Sequence, residues 1–376
     1  KLTWNGGGAP GQNPKNYKGK LSEVAVIGAG TMGAGIAQWI LSRGKNVLLK
    51  DISPDALSSG LNKIGKLFID GVLKHKMDRP TVRACLGRLA TATENVPLAN
   101  KDLVIEVVVE NFPLKTKVLK EVEAQLSPDA ILATNTSALS ITDLGNHLER
   151  PENFIGIHFF NPVHKMKLVE IVVGKKTNNR TIAATIEFVK SIGKLPVIVK
   201  DSPGFLVNRI LLPYLVEAIR LFSEGNSIKS IDKTMLDFGM PMGPLRLLDE
   251  IGLDVAAHVA LDLEKRVENF KVPQILHEIL ETKKLGRKTG QGFYIYRHGK
   301  PIGSNTPLYK LQKNKKTISQ PELQEAMVNA MVAVAAQCLE DQVAITAADV
   351  DLAMVMGTGW APFRGGPLTY LKKTKK

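Results

Sequence analysis

Glu23–Gly44 reads EVAVIGAGTMGAGIAQWILSRG, and the order of its parts decides the fold. Glu23–Ile27 is short, apolar and rich in valine and isoleucine, as a strand buried on both faces of a parallel sheet is. Gly28-Ala29-Gly30-Thr31-Met32-Gly33 follows at once, and AGIAQWIL then carries a helical pattern closed by Gly44. Strand, glycine turn and helix in this order form a dinucleotide-binding turn. Gly28 permits the tight bend, Gly30 lets the backbone approach a pyrophosphate, and Gly33 lets the helix pack close to the strand. The free N–H groups at the helix start, from Thr31 and Met32 onward, suit phosphates. A second strand, NVLLKD (Asn46–Asp51), ends in a carboxylate 18 residues past Gly33. Asp51 is placed to accept hydrogen bonds from the adenosine ribose and to repel a 2′-phosphate, which favours NAD over NADP. Lys50 beside it is the feature that leans the other way.

The same alternation continues along the chain. EVAVI, NVLLKD, DLVIEVVV, AILATN, FIGIHFF, KLVEIVV and LPVIVK read as strands separated by helical stretches, up to about Lys200. The fold class expected is α/β plus all-α: a Rossmann-type, doubly wound parallel sheet over 21–200, then helices. After Asp201-Ser202-Pro203-Gly204 the strands stop, and 201–296 reads as an all-helical domain. Residues 1–20 are rich in Gly, Pro, Asn and Lys and read as a linker, as does 297–320. A second helical segment fills 321–376. It carries an echo of the first: FGMPMGPLRLLDEIGL (Phe238–Leu253) against MGTGWAPFRGGPLTYL (Met356–Leu371), an offset of 118 residues that sets Asn208 near Ala326, so the second copy reads as non-catalytic.

Composition bounds the rest. With 376 residues, 44% hydrophobic and 23% charged, the chain is an ordinary globular protein of two or three domains. Cys85 and Cys338 suggest neither a disulfide framework nor a metal site, and fit a reducing compartment. No apolar run is long enough to span a bilayer. The formal net charge of +14 is spread along the chain with no nucleic-acid motif, so an anionic small substrate or a solvated basic surface explains it. Lys63, Lys66 and Lys74 fall on a common face of one amphipathic helix, where they would suit a phosphate-rich ligand or simply face water.

Gly156–Val172, GIHFFNPVHKMKLVEIV, adds chemistry to this frame. GIHFF and KLVEIV are strand-like and NPVHKM is turn material, so folding them back brings His158 within reach of Glu170. A carboxylate on one ring nitrogen fixes the tautomer and raises the basicity of the other. Ser137, after AILATN, suits either a ligand contact or the cap of the next helix. Asn208 in FLVNRILL needs a partner if buried, which backbone or ligand would supply.

GAGTMGAGIA, the Asp51 strand end, VVVEN (Val107–Asn111), ATNTSALSI (Ala133–Ile141), HFFNPVHKMKLVE, DSPGFLVNRI and GRKTGQGFYIY together resemble the L-3-hydroxyacyl-CoA dehydrogenase family over Leu21–Tyr296. The resemblance implies that His158, oriented by Glu170, removes the proton from the C3 hydroxyl while hydride leaves C3 for NAD, and that Ser137 and Asn208 hydrogen-bond the reacting oxygen. It assigns cofactor contacts to Glu110, Lys115, Asn161 and Lys288, and a CoA contact to Lys74, with Leu67 standing where the family has a serine. The added helical repeat is similar to the longer forms, multifunctional β-oxidation enzymes and fatty-oxidation-complex α subunits. In those an enoyl-CoA hydratase domain precedes the dehydrogenase, and this chain is expected to lack it. The expected activity is NAD-dependent oxidation of (S)-3-hydroxyacyl-CoA to 3-oxoacyl-CoA, with hydratase or thiolase partners in a complex. The alternatives are a short-chain 3-hydroxybutyryl-CoA dehydrogenase linked to NADP, and a non-catalytic scaffold subunit. The repeat is expected to pack on its own chain as a pseudo-dimer, leaving a monomer. A bacterial cytoplasmic setting is expected; LKKTKK is not a peroxisomal end, and a peroxisomal or mitochondrial matrix protein is the alternative.

Overall fold

The computed structural model describes residues 20–267, 270–314 and 316–374, so the leader expected at 1–20 lies, but for Lys20, outside the described residues. The chain divides into two compact units at Ser202 and Pro203.

The first unit follows the strand–helix alternation. It comprises β1 (Glu23–Ile27), α1 (Thr31–Leu41), β2 (Asn46–Lys50), α2 (Pro54–Leu73), α3 (Arg79–Leu86), β3 (Leu89–Ala92), β4 (Leu103–Glu106) and α4 (Phe112–Glu123). β5 (Ile131–Thr134), α5 (Ile141–Gly145), β6 (Phe154–Phe159), β7 (Leu168–Val173), α6 (Asn179–Ser191) and β8 (Leu195–Lys200) complete it. The sheet order is β3-β2-β1-β4-β5-β6-β7-β8. β1 to β6 run parallel, which is the Rossmann-like arrangement, with the site expected at the carboxyl ends of the strands. β7 runs antiparallel to β6, and β8 runs parallel to β7. The reason is the connection. A parallel neighbour needs a crossover of a dozen or more residues, whereas the loop 160–167 is a short return.

Burial explains why these segments settle as they do. Val24, Ala25 and Val26 are fully buried, as the continuous apolar run predicts for a strand covered on both faces. In α2, Leu57, Gly60, Ile64 and Phe68 are buried at helical spacing, and Ser53 caps the helix by accepting from Ala56 N. Asp78, Asn111, Ser140 and Asn178 cap α3, α4, α5 and α6 in the same way.

Two expectations need correcting here. DLVIEVVV pairs only over Leu103–Glu106, because the chain turns away at Val107 to close the glycine turn. The strand β3 (LATA) was not expected: it is short, half-exposed and at the sheet edge.

The second unit contains α7 (Val207–Ser223), α8 (Ile228–Phe238), α9 (Pro244–Ile251), α10 (Leu253–Arg266) and α11 (Gln274–Glu281). A hairpin of β9 (Tyr294–Arg297) and β10 (Lys300–Ser304) follows, then α12 (Gln320–Glu340), α13 (Ala347–Thr358) and α14 (Pro367–Thr374). The 201–296 stretch is helical up to its end, where the strand Tyr294–Arg297 begins, and part of 297–320 is folded rather than plain linker. His298 and Gly299, at φ 50° and 73°, make the two-residue turn that a tight hairpin requires, and Leu308 is buried in a 3₁₀ turn beyond it.

The repeat is real, though not at a constant offset. Asp232 on α8 accepts from Leu245 N (2.8 Å) and Arg246 N (3.0 Å), holding the start of α9. Asp351 on α13 accepts from Leu368 N (2.8 Å) and Thr369 N (3.1 Å), holding the start of α14. The equivalent turns are therefore Gly243-Pro244-Leu245 and Gly366-Pro367-Leu368, with the extra residues taken up by the 3₁₀ turn Pro362–Arg364. In both, a Cβ on the glycine would fall within 2.5 Å of the aspartate side chain. Phe238, Trp360 and Tyr370 stack edge to face across the copies, and α12 lies along α7 and α8.

Candidate active site

The glycine turn comes first. Gly28, at φ 109°, takes a conformation few side chains adopt, and a Cβ there would sit 2.7 Å from Val107 O. A Cβ on Gly33 would lie 1.8 Å from Gly28 O, so only glycine lets α1 start this close to β1. Gly30 differs: a Cβ there would meet nothing within 4 Å. Its absence opens a cradle above the backbone N–H groups of Thr31 and Met32 at the start of α1, which fits a dinucleotide pyrophosphate. Thr31 is exposed and Met32 half-buried. Asp51, just past β2, accepts from Ala29 N (2.8 Å) and Ser53 N (3.0 Å), so it braces the turn it was expected to serve as a ribose acceptor. Lys50 donates to Asn95 Oδ1 at 2.8 Å.

At the same carboxyl end of the sheet, β6 and β7 set His158 directly opposite Glu170 in register. Residues opposite one another on antiparallel strands project from the same face. His158 Nδ1 lies 2.7 Å from Glu170 Oε2, with the carboxylate wholly buried. A carboxylate only accepts, so the proton sits on Nδ1 and Nε2 is left as the basic nitrogen. Phe159 N donates to Asn135 Oδ1 (2.9 Å), which ties the His158 strand to the end of β5.

Glu110 organises the segment after β5. Its Oε1 accepts from Thr136 Oγ1 (2.6 Å), Ser137 N (2.8 Å), Ser137 Oγ (3.2 Å) and Ala138 N (3.1 Å). Burial alone would push this carboxyl up. The charge of Lys115 and the bonds from Thr136, Ser137 and Ala138 outweigh it and hold Glu110 below its ordinary value. Ser137 is thus fixed by its backbone rather than serving as a helix cap, a part taken by Ser140.

Lys115 is not where a cofactor contact was expected. Its side chain is 1% exposed, and Nζ donates to Glu106 at 2.8 and 3.1 Å and to Val108 O at 3.2 Å. It also lies 3.6 Å from Glu110 Oε2, so it acts beneath the site as a brace. Glu106, fully buried, takes a further bond from Thr134 Oγ1 (2.6 Å). Sequence reasoning missed this acid, although a lone glutamate inside VIEVVV was the available signal.

The remaining expected residues are spread more widely. Asn161 is exposed in the loop after β6. Lys74, at the end of α2, is exposed and 3.8 Å from Asp70; Lys63 donates to Thr31 Oγ1 at 3.2 Å, and Lys66 is exposed. The common basic face therefore divides into separate contacts. Asn208 on α7 and Lys288, which pairs with Asp254 at 2.5 Å, belong to the second unit. Their assignments rest on the resemblance alone.

Residues 23–202 match the family model described as 3-hydroxyacyl-CoA dehydrogenase, NAD binding domain, and residues 204–296 match 3-hydroxyacyl-CoA dehydrogenase, C-terminal domain. The fatty acid oxidation complex subunit alpha of Psychrobacter arcticus is 41% identical over 364 residues, covering 94% of this chain and 51% of that protein. The chain spans about half the length of the curated relatives it matches. Among solved structures, 3-hydroxybutyryl-CoA dehydrogenase from Escherichia coli K12 superposes with a TM-score of 0.84 at 29% identity, covering 94% of this chain and 92% of that one. (S)-3-hydroxybutyryl-CoA dehydrogenase from Ralstonia eutropha gives a TM-score of 0.72 at 39% identity, covering 74% of this chain and 100% of that one.

Proposed function

The chain belongs to the 3-hydroxyacyl-CoA dehydrogenase family, and from that premise we propose that it oxidises (S)-3-hydroxyacyl-CoA to 3-oxoacyl-CoA with NAD, in fatty-acid β-oxidation. The observation that carries the reading is His158 held at 2.7 Å by buried Glu170, in the same unit as a glycine turn open at Gly30.

Bound NAD supplies the hydride acceptor. The chain's own residues do the rest. His158 Nε2 takes the C3 hydroxyl proton, and Glu170 stabilises the imidazolium this creates. The Ser137 hydroxyl, on the segment that Glu110 fixes through backbone N–H groups, turns its one O–H from Glu110 to the same oxygen and steadies its developing charge. Asp51 favours NAD by facing the adenosine ribose. The match to two 3-hydroxybutyryl-CoA dehydrogenase structures supports a substrate of the same acyl-CoA class.

Three outcomes follow from this reading. His158→Gln keeps its fold and NAD affinity but lowers kcat at least about a hundredfold, the usual worth of a positioned base. Stopped-flow measurement of NADH formation checks it, and retention of most of kcat would remove His158 from the chemistry. Asp51→Ala narrows the ratio of kcat/KM for NAD over NADP; an unchanged ratio would place the adenosine ribose elsewhere. Because α12 already covers α7 and α8 from within the chain, the protein is monomeric at micromolar concentration. Light scattering that finds a stable dimer would contradict this.

A further inference from the structure

Lys194, just before β8, is 4% exposed, and its hydrogen-bond partners among the described residues are neutral carbonyls. Lysine is almost never buried without a paired charge, because desolvating an ammonium costs several kcal/mol. Its Nζ donates to Val163 O and, at 2.6 Å, to Met166 O, and it lies 3.9 Å from the centre of the Trp39 ring. Those two carbonyls belong to the loop 160–167, the return that joins the His158 strand to the Glu170 strand and carries Asn161. Trp39 belongs to α1, the helix that opens with the glycine turn, and its indole N–H donates to Ile192 O at 2.9 Å. Val163 packs on the same helix: a Cβ on Gly35 would lie 3.2 Å from its Cγ2. An apolar side chain would fill this space without the desolvation penalty. What it would lose is the grip on two loop carbonyls.

We propose that Lys194 is a positioning residue that clamps the loop 160–167 onto α1, and so fixes His158 and Asn161 relative to the glycine turn. This rests on the dehydrogenase reading, since what it positions is the base and the cofactor end of the site. The charged or titratable neighbours are Arg43 on α1, which stacks on the same indole at 4.3 Å, and His164 and Lys165 in the loop; Lys74 and Asp70 face His164 in turn. Burial, with Arg43 adding repulsion, pushes the Lys194 ammonium down to about 8. Losing that proton leaves two N–H donors for the two carbonyls but removes the charge that strengthens both bonds and the attraction to the ring. The clamp therefore slackens as pH rises through this value.

The experiment compares Lys194→Met and Lys194→Arg with the wild type in the full chain. Three readouts are taken: kcat across pH 6–10, KM for NAD, and hydrogen–deuterium exchange of the peptide covering 160–167. Wild type is expected to lose kcat on the alkaline side with a midpoint near 8. Lys194→Met loses about tenfold or more in kcat at neutral pH, since small misplacements of reacting groups cost this much, with KM for NAD moving far less. Its loop exchanges faster and its alkaline fall is gone. Lys194→Arg, whose charge persists throughout, restores kcat in part and also lacks the fall near pH 8. A folded Lys194→Met with wild-type kcat and unchanged loop exchange would overturn the clamp. So would an alkaline fall near pH 8 that persists in Lys194→Arg, which decides the matter if the methionine variant fails to fold. Loop exchange needs no substrate, so a wild type that turns over no 3-hydroxyacyl-CoA refutes the activity and leaves the clamp to be judged on its own.

Discussion

The hydrogen bond between His158 and buried Glu170 is the constraint around which the first unit is arranged. A carboxylate with no exposed surface must be hydrogen-bonded, and here the imidazole supplies one of its donors. That pairing exists because β7 runs against β6, placing the two side chains on one face in register. Had the chain crossed over to a parallel neighbour, as at every earlier step in the sheet, this short return would not suffice. The loop 160–167 thus does more than connect. Its shortness forces the antiparallel step that assembles the pair.

The same logic governs what lies beneath the Ser137 segment. Glu106 and Lys115, both buried, and the partly exposed Glu110 form a line of alternating charge, ending in the carboxylate that holds Thr136, Ser137 and Ala138. A buried ion pair seldom adds stability over well-packed apolar residues. Its value here is geometric, since each member is pinned by the next and the last pins the backbone of Ser137. Lys194 follows a related pattern on the other side of His158, with carbonyls and an indole in place of carboxylates. Both are charges buried for placement.

How much of this was legible in the sequence depends on how local each signal was. The glycine turn, Asp51 and the His158–Glu170 hairpin rest on contiguous runs whose periodicity names their conformation. The two-residue turn His298-Gly299 is equally local, but the polar, glycine-containing sequence around it has the composition of a linker. β3 was hidden for a different reason. An edge strand with half its surface in water has no apolar run to announce it. Lys115 and Lys194 were beyond sequence reasoning, because surface lysines are the rule and burial is set by tertiary neighbours such as Glu106 and Trp39. The repeat was visible as an echo, yet its register became clear only from the matched bonds of Asp232 and Asp351.

The central claim is that Glu170, through His158, powers proton removal during NAD-linked oxidation of a 3-hydroxyacyl-CoA. The direct measurement is the rate of NADH formation from (S)-3-hydroxyacyl-CoA by the wild type and by Glu170→Gln, with NAD affinity determined for each. The account predicts turnover by the wild type and a rate at least about tenfold lower in the variant, with NAD affinity retained, because the amide keeps a hydrogen bond but not the charge. Equal rates in the two proteins, or no NADH from the wild type, would contradict it.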